Sequence, residues 1–406
     1  MAAKGNLIVG QSGGPTAVIN QSLVGVVLGA KQSKNVGKIY GALNGVDGIL
    51  GERFVDLGRE TAANLALVAG TPSSALGSCR HKPKQDECEH VFEVFKKHNI
   101  RYYFYIGGND SAETADIINK IARDRKYELC VYHVPKTIDN DLRETDHCPG
   151  YASASKYVIQ SFMGNDLDNL SLPGIKIDIV MGRNAGWLTA SSALARDARD
   201  KNSGPHLIYV PERPVTMDEF TGQILSVYEK LGRCVVACSE GIVDKATGKP
   251  VADALIDEVD SHGNKQLSGS GALGDHLVSK VKAVYTGQKK LRIRSDTLGY
   301  AQRCFAGIVS PIDAKEARGV GMKAAKLATS GSIDGSISIK RTGGKKYASE
   351  FVRTELSKVA KVTRHMPDDF LSAAGNDVTP AFVKYLAPLV GTLPAVGKLK
   401  KIPVKI

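Results

Sequence analysis

The feature that most constrains this chain is an alternation of short apolar runs with amphipathic segments of helical length. The runs "NLIVG", "GKIYGA", "YYFYIGG", "LCVYHVP", "IKIDIVMG", "HLIYVP" and "RCVVACSEG" are rich in branched and aromatic residues, and most end in Gly or Pro. They read as strands buried on both faces. Between them, "AVINQSLVGVVLGAKQ", "SAETADIINKIARDRK", "SASKYVIQSFMGNDLDNL", "GWLTASSALARDARD" and "TMDEFTGQILSVYEKLG" read as helices. Strands separated by helices pair in parallel, so helices cover both sheet faces. The alternation breaks near "ETDHCPGYAS", residues 144 to 153, which divides it into two series. Late in the chain, "SISIKRTGGKKYASEF" has the form of a hairpin and "DVTPAFVKYLAPLVG" that of a closing helix.

The chain has 406 residues, 24% of them charged, enough to bury a sizeable core. The first residues, "MAAKGNLIVGQSGG", hold an apolar run too short for a secretory core, and no later stretch reaches the length of a membrane span. A cytoplasmic protein without membrane contact is expected. The seven cysteines are scattered, with neither a CxxC pair nor a cysteine–histidine ladder, so no disulfide framework or zinc site is suggested. The net charge of +12 alone does not choose between nucleic acid, lipid and phosphorylated substrates. No aromatic-interleaved basic stripe accompanies it, so nucleic acid is not an expected partner.

Ligands of open parallel sheets gather beyond the carboxyl ends of the strands, and four such junctions carry polar residues. In "IVGQSGGPTAVIN", Gly13 and Gly14 lie between a strand and a helix start, where backbone N–H groups can approach an oxyanion. In "YFYIGGNDSAETA", Gly107 and Gly108 precede Asn109, Asp110 and Ser111. Asp110 taken alone reads most simply as a helix N-cap, but a carboxylate beside an amide can also hold Mg²⁺ through oxygen. The third junction, "VYHVPKTIDNDLRETD", packs Lys136, Thr137, Asp139 and Asp141 just past a strand end. Asp139 and Asp141 could cap a turn. The group could equally supply a general base, a metal-side partner and a phosphate clamp. The fourth, "DIVMGRNAGWLTA", places Arg183 in a strand–glycine–helix turn; further on come Glu240, Arg292, Arg294, Tyr300 and Arg303. Arginine's planar fork suits phosphate.

The segments "QSGGPTAVIN", "YGALNGVDGIL", "LGSCRHKP", "IGGNDS", "PKTIDND", "MGRNAGW", "SEG" and "LGYAQR" occur in the order of the motifs of the phosphofructokinase family, which the chain resembles from about residue 5 to 310. The resemblance implies an α/β fold of two Rossmann-like three-layer αβα domains with mainly parallel sheets and an active-site cleft between them. Residues 1–150 would bind the phosphoryl donor and 151–302 the sugar phosphate, with 303–406 returning to complete both and add helices. It implies transfer of a phosphoryl group to the 1-hydroxyl of fructose 6-phosphate, with Mg²⁺ as cofactor. By position, Asp139 resembles the general base and Asp141 its supporting carboxylate, with Lys136 and Thr137 beside them. Gly13, Gly14, Arg80, Gly108, Asp110 and Ser111 resemble the donor site. Met181, Gly182, Arg183, Glu240, Arg294, Tyr300 and Arg303 resemble the sugar-phosphate pocket. Arg294 is the arginine a neighbouring subunit lends in such a pocket, so a homodimer or homotetramer is expected.

The family has an ATP branch and a pyrophosphate branch. Asp110 replaces a small residue of the ATP branch, and Lys136 replaces a glycine. A carboxylate there takes the volume of the α-phosphate of ATP and repels it, by roughly 4 kcal/mol for unit charges about 4 Å apart at an effective dielectric near 20. Pyrophosphate has no α-phosphate, so it is the expected donor. Pro15 and Tyr300 also resemble that branch. Asn109 stands where the family more often has a metal-associated aspartate, which leaves the metal to Asp110 with the Asn109 amide oxygen. Gly174 stands where a second subunit-crossing arginine is expected, with Lys176 the nearest cation. The alternatives are ATP as donor, or a non-catalytic subunit on the same fold, against which Asp139 and Asp141 argue.

Overall fold

The computed structural model describes residues 3–255, 269–288, 290–331, 333–344, 346–360 and 363–400. In chain order the strands are β1 (Gly5–Gln11), β2 (Val36–Ala42), β3 (Phe54–Asp56), β4 (Ile100–Gly107), β5 (Cys130–Pro135), β6 (Ile175–Val180), β7 (Leu207–Tyr209), β8 (Cys234–Ser239), β9 (Val243–Asp244), β10 (Lys249–Pro250), β11 (Ile293–Thr297), β12 (Gly335–Thr342) and β13 (Ala348–Thr354). They form a seven-stranded sheet in the order β13-β12-β5-β4-β1-β2-β3, a four-stranded sheet in the order β11-β6-β8-β7, and the small ribbon β9–β10. The four-stranded sheet is parallel throughout, and only the two edge strands of the larger sheet, β3 and β13, run antiparallel to their neighbours. The seven strands read from sequence are all present. Those not anticipated are the edge strand β3, the ribbon β9–β10 and β11, whose charged sequence "IRSDT" lacks an apolar run.

Each sheet is the middle of three layers. On β1, Leu7 and Val9 face one core with Val24 and Val320, whereas Ile8 faces the other with Phe92 and Tyr103. On β8, Val235 and Ala237 join Trp187 and Phe382, whereas Val236 and Cys238 join Phe220 and Leu277. This is the period-2 alternation of a strand apolar on both faces. The helix Pro311–Thr329, not anticipated from sequence, packs along Ile19–Ala30 through Gly25, Gly29 and Gly321, where an added Cβ would lie within 3 Å of the facing helix. Gly-mediated contact brings the two backbones close and leaves a weak amphipathic signal. β12 and β13 form the expected hairpin, and Pro380–Val390 forms the expected closing helix.

One expected helix is cut short. "GWLTASSALARDARD" is helical only over Trp187–Ala190, followed by a 3₁₀ turn Ser191–Ala195. Beyond it, the side chains of Asp197 and Asp200 accept hydrogen bonds from the backbone N–H of Arg199 and Asn202. Such local Asp bonds compete with helix propagation. By contrast Met217–Leu231 keeps its predicted ends, with a Thr216/Glu219 capping box and left-handed Gly232 after the last turn. Among the described residues no helix is long and apolar enough to cross a membrane.

Candidate active site

The carboxyl ends of β1, β4 and β5 and the end of β6 meet around one cavity of about 800 Å³. It is lined by Gly13, Gly14, Arg80, Gly108, Asn109, Asp110, Ser111, Lys136, Thr137, Asp139, Asp141, Met181, Arg183, Glu240, Tyr300 and Arg303. All four junctions singled out in the sequence therefore open into one space. Two expected residues do not line it. Gly182 lies just behind, its N–H directed at Glu240 Oε1 at 3.3 Å. Arg294 is exposed on β11, with Nη1 donating to the Ile293 carbonyl.

The β1 junction is a bare loop rather than a helix start, because Pro15–Val18 intervene before the helix begins at Ile19. The Gly13 N–H donates to the Cys79 carbonyl at 3.0 Å, so the turn offers an anion the Gly14 N–H, without a helix dipole directly behind it. Gly13 has φ 74°, a left-handed conformation that favours glycine. A Cβ on Gly14 would lie 2.8 Å from Arg303 Nη1, so the absence of a side chain lets this arginine reach across from the second half of the chain. Arg303 also lies over the Tyr300 ring, 4.5 Å from its centroid. Burial and the nearby Arg80 cation hold its guanidinium below the usual value, because positive charge is crowded here.

The β4 junction passes directly into the helix Asn109–Asp124, with Gly108 as N-cap and no side-chain cap bond. Asp110 is therefore not an N-cap. It stands in the first turn facing the cavity, with its side chain 60% exposed and Lys82 Nζ 3.5 Å away. Lys82 also pairs with Glu113 at 2.7 Å. Its exposure moves Asp110 towards the water limit, where the repulsion at about 4 Å is only about 1 kcal/mol. In the exclusion of an α-phosphate expected from sequence, occupied volume then counts as much as charge. Asn109 donates through Nδ2 to Asp141 Oδ2 at 3.1 Å, while its Oδ1 is buried without a partner. An orphaned amide oxygen is a hard-oxygen donor of the kind Mg²⁺ takes, and the Asp110 carboxylate follows it in the chain.

The β5 junction is the most constrained. The Lys136 N–H donates to Gly107 O at 2.9 Å, and its buried ammonium donates to Gly14 O at 2.6 Å. Loss of hydration and the neighbouring Arg303 cation push this ammonium down to about 8. Thr137 Oγ1 donates to Asp141 Oδ1 at 3.1 Å and accepts from the Asp139 N–H at 3.1 Å. Asp139 is pushed up to about 7, first by loss of hydration and then by the Asp141 and Glu240 carboxylates. Asp141 is also raised by burial, opposed by the Thr137 hydrogen bond. Two carboxyls whose surroundings treat them differently, the less hydrogen-bonded one tuned near neutral pH, form an acid–base arrangement.

The family model for phosphofructokinase matches residues 6–328 of this sequence. The chain belongs to the phosphofructokinase family. The pyrophosphate–fructose 6-phosphate 1-phosphotransferase of Rhodospirillum rubrum is 53% identical over 390 residues, covering 96% of this chain and 95% of that protein. The protein of that name from Xanthomonas campestris pv. campestris is 38% identical, covering 95% and 91%. The crystal structure of a pyrophosphate-dependent phosphofructokinase from Nitrosospira multiformis superimposes with a TM-score of 0.85 at 34% identity, covering 99% of this chain and 95% of that one.

Several residues of this phosphofructokinase site were not assigned from sequence. Lys82 follows Arg80 in "CRHKP", a segment already part of the family pattern, so proximity alone could have flagged it. Thr363 lines the cavity and Arg364 holds the Asp139–Asp141 turn from below. Both lie beyond the region matched by the family model and carry no local motif.

Proposed function

We propose that this protein transfers a phosphoryl group reversibly between pyrophosphate and the 1-hydroxyl of fructose 6-phosphate, giving fructose 1,6-bisphosphate and phosphate. The observation that carries the reading is the presence of Asp110 and Lys136 in the same cavity as the Gly13–Gly14 turn and Asp139. Asp110 fills space that a nucleotide's α-phosphate needs, and Lys136 brings a cation to a compact donor. The names of the relatives support the same donor and sugar.

In this reading Asp139 takes the proton of the sugar's 1-hydroxyl as it attacks the donor's terminal phosphorus. Asp141, anchored by Thr137 and Asn109, keeps the turn in register and its charge keeps Asp139 basic. The N–H of Gly14, with Lys136, Arg80 and the first turn bearing Ser111, receives the donor oxygens, while the Gly13 N–H is held by the Cys79 carbonyl at 3.0 Å. Such transfers are driven by positioning and by neutralising phosphate charge. Met181, Arg183, Glu240, Tyr300 and Arg303 orient the sugar phosphate, with the Gly182 N–H behind them directed at Glu240, and with Arg294 contributed to a neighbouring copy in a homodimer or homotetramer. Asp110 and the Asn109 amide oxygen would hold Mg²⁺, which would supply positive charge to offset that of the donor phosphates. Residues 1–150 serve the donor, 151–302 the sugar phosphate, and 303–406 complete both parts; the compartment is the cytoplasm.

One observation favours ATP: Lys82, 3.5 Å from Asp110, partly neutralises the carboxylate. An exposed pair of this kind is worth at most about 1 kcal/mol, and it leaves the volume of Asp110 in place. Phosphorus NMR of the protein with fructose 6-phosphate, Mg²⁺ and pyrophosphate tests the reading. Appearance of a 1-phosphate resonance with orthophosphate supports it, as does regeneration of pyrophosphate from fructose 1,6-bisphosphate and orthophosphate. An unchanged spectrum with pyrophosphate contradicts it.

A further inference from the structure

The turn that carries Asp139 and Asp141 is held by a residue outside the region matched to the family. Arg364 directs its whole guanidinium into the backbone of residues 140–146. Nε and Nη2 donate to the Asn140 carbonyl at 3.1 and 2.7 Å, and Nη1 donates to the carbonyls of Thr145 and, at 3.0 Å, Asp146. The Arg364 backbone N–H donates to the Asp141 carbonyl at 2.7 Å. The opposite side of the cation lies over the Trp187 ring, 4.7 Å from its centroid, and Trp187 Nε1 donates back to the Arg364 carbonyl at 3.2 Å.

The turn needs such a holder. Asn140 and Glu144 have φ of 55° and 62°, a region that non-glycine residues occupy at a cost. No helix or strand runs through residues 138–148 to take up their carbonyls. Asn140 sits between the two acids, and its side chain is already fixed to the Tyr385 hydroxyl and the Cys148 N–H. Holding the carbonyls of both Asn140 and Asp141 sets the peptide planes on either side of the Asp141 Cα, and with them the direction of the Asp141 carboxylate, and it pins the residue that follows Asp139. Trp187 ends the "MGRNAGW" junction that carries Arg183, so the same arginine ties the acid-bearing turn to the sugar-phosphate side.

We infer that Arg364 is a positioning residue for phosphoryl transfer, which holds the Asp139–Asp141 turn in its working geometry and registers it against the sugar-phosphate junction through Trp187. The inference rests on the role proposed above for Asp139. Arg364 touches no reacting atom; it acts through the backbone of the turn. Lysine cannot replace it, because one ammonium cannot span the Asn140 and Asp146 carbonyls together.

The test uses the full chain with Arg364→Ala and Arg364→Lys. In Arg364→Ala, kcat with pyrophosphate falls about 100-fold, the usual consequence of a displacement near 1 Å, with KM for both substrates within about threefold of the parent. Millimolar guanidinium restores a large part of the lost turnover, and methylammonium does not. Arg364→Lys loses about tenfold or more. Hydrogen exchange of the amides of residues 139–146 quickens in both variants while the melting temperature stays near the parent's. Turnover within twofold of the parent, or a loss of turnover with parent-like exchange in this turn, overturns the inference. Exchange is measured without substrate, so an inactive parent counts against the phosphotransferase reading while exchange still decides the role of Arg364. If Arg364→Ala does not fold, Arg364→Lys carries both measurements, and parent-like values in it overturn the inference.

Discussion

The Lys136 ammonium donates a 2.6 Å hydrogen bond to the carbonyl of Gly14, across 122 positions of sequence. The bond ties the loop after β5 to the loop after β1, two strands that flank β4 in the same sheet. A buried cation held to a carbonyl next to the glycine turn is already in place for a phosphate arriving there. Lys136→Met keeps the stem and removes the donor and the charge. It should lower kcat with pyrophosphate by about 10²–10³-fold, as loss of a positioned charge-stabilising donor does, with a smaller change in KM for fructose 6-phosphate. Steady-state kinetics in both substrates checks this; an unchanged kcat removes Lys136 from the donor site.

Asp139→Ala removes the group proposed to accept the hydroxyl proton. Turnover should drop by about 10²–10⁴-fold, the range of general-base catalysis, while fructose 6-phosphate binding measured by calorimetry stays near the parent value. A drop of less than tenfold would reassign the base.

Activity should also trace a bell in pH. Asp139 is pushed up to about 7 and must be ionised to act, so kcat/KM falls as pH drops through that value. Lys136 is pushed down to about 8 and must be charged, so activity falls again as pH rises past it. Asp139→Glu, if active, moves only the acid limb, and Lys136→Arg moves only the alkaline one. A profile flat from pH 6 to 9 contradicts both assignments.

The same crowding has a stability consequence of opposite sign to function. A carboxyl raised from 3.8 to about 7 in the folded protein binds its proton more tightly there than in the unfolded chain. The folded state therefore loses stability as pH climbs from about 4 through 7, on the order of a few kcal/mol by linkage. Asp139→Asn should raise the melting temperature at pH 8, and the gain should shrink towards pH 4. A variant less stable than the parent at pH 8 contradicts the buried-charge account.

Much of this arrangement is legible in the sequence because its signals are local. Apolar runs, most of them ending in Gly or Pro, located seven strands, and each polar junction lay where a parallel strand ends. β11 and the helix Pro311–Thr329 escaped: the first is a charged edge strand, and the second buries small residues against another helix. Within the site, Asp139, Asp141 and Lys136 announce themselves by spacing, whereas Arg364 is a solitary arginine whose partners are backbone carbonyls more than 200 positions away. Backbone carbonyls are common to every residue type, so such a contact leaves no trace in the partner's sequence. The reading of Asp110 also changed: sequence alone set both its volume and its charge against an α-phosphate, and its exposure and the Lys82 pair shift the weight to volume.

Donor choice is the central claim, and Asp110 and Lys136 are the residues it depends on. Removing both, with Asp110→Gly and Lys136→Gly together, should raise kcat/KM for ATP relative to pyrophosphate by about tenfold or more, since volume and charge are relieved at once. A double variant whose ATP use does not rise contradicts the exclusion mechanism.

The most direct measurement is the ratio of kcat/KM for pyrophosphate to that for ATP in the parent enzyme, with fructose 6-phosphate and Mg²⁺ held saturating. The account predicts about a hundredfold or greater preference for pyrophosphate, on the scale of a steric and electrostatic clash of about 3 kcal/mol. A ratio near one, or a preference for ATP, contradicts it.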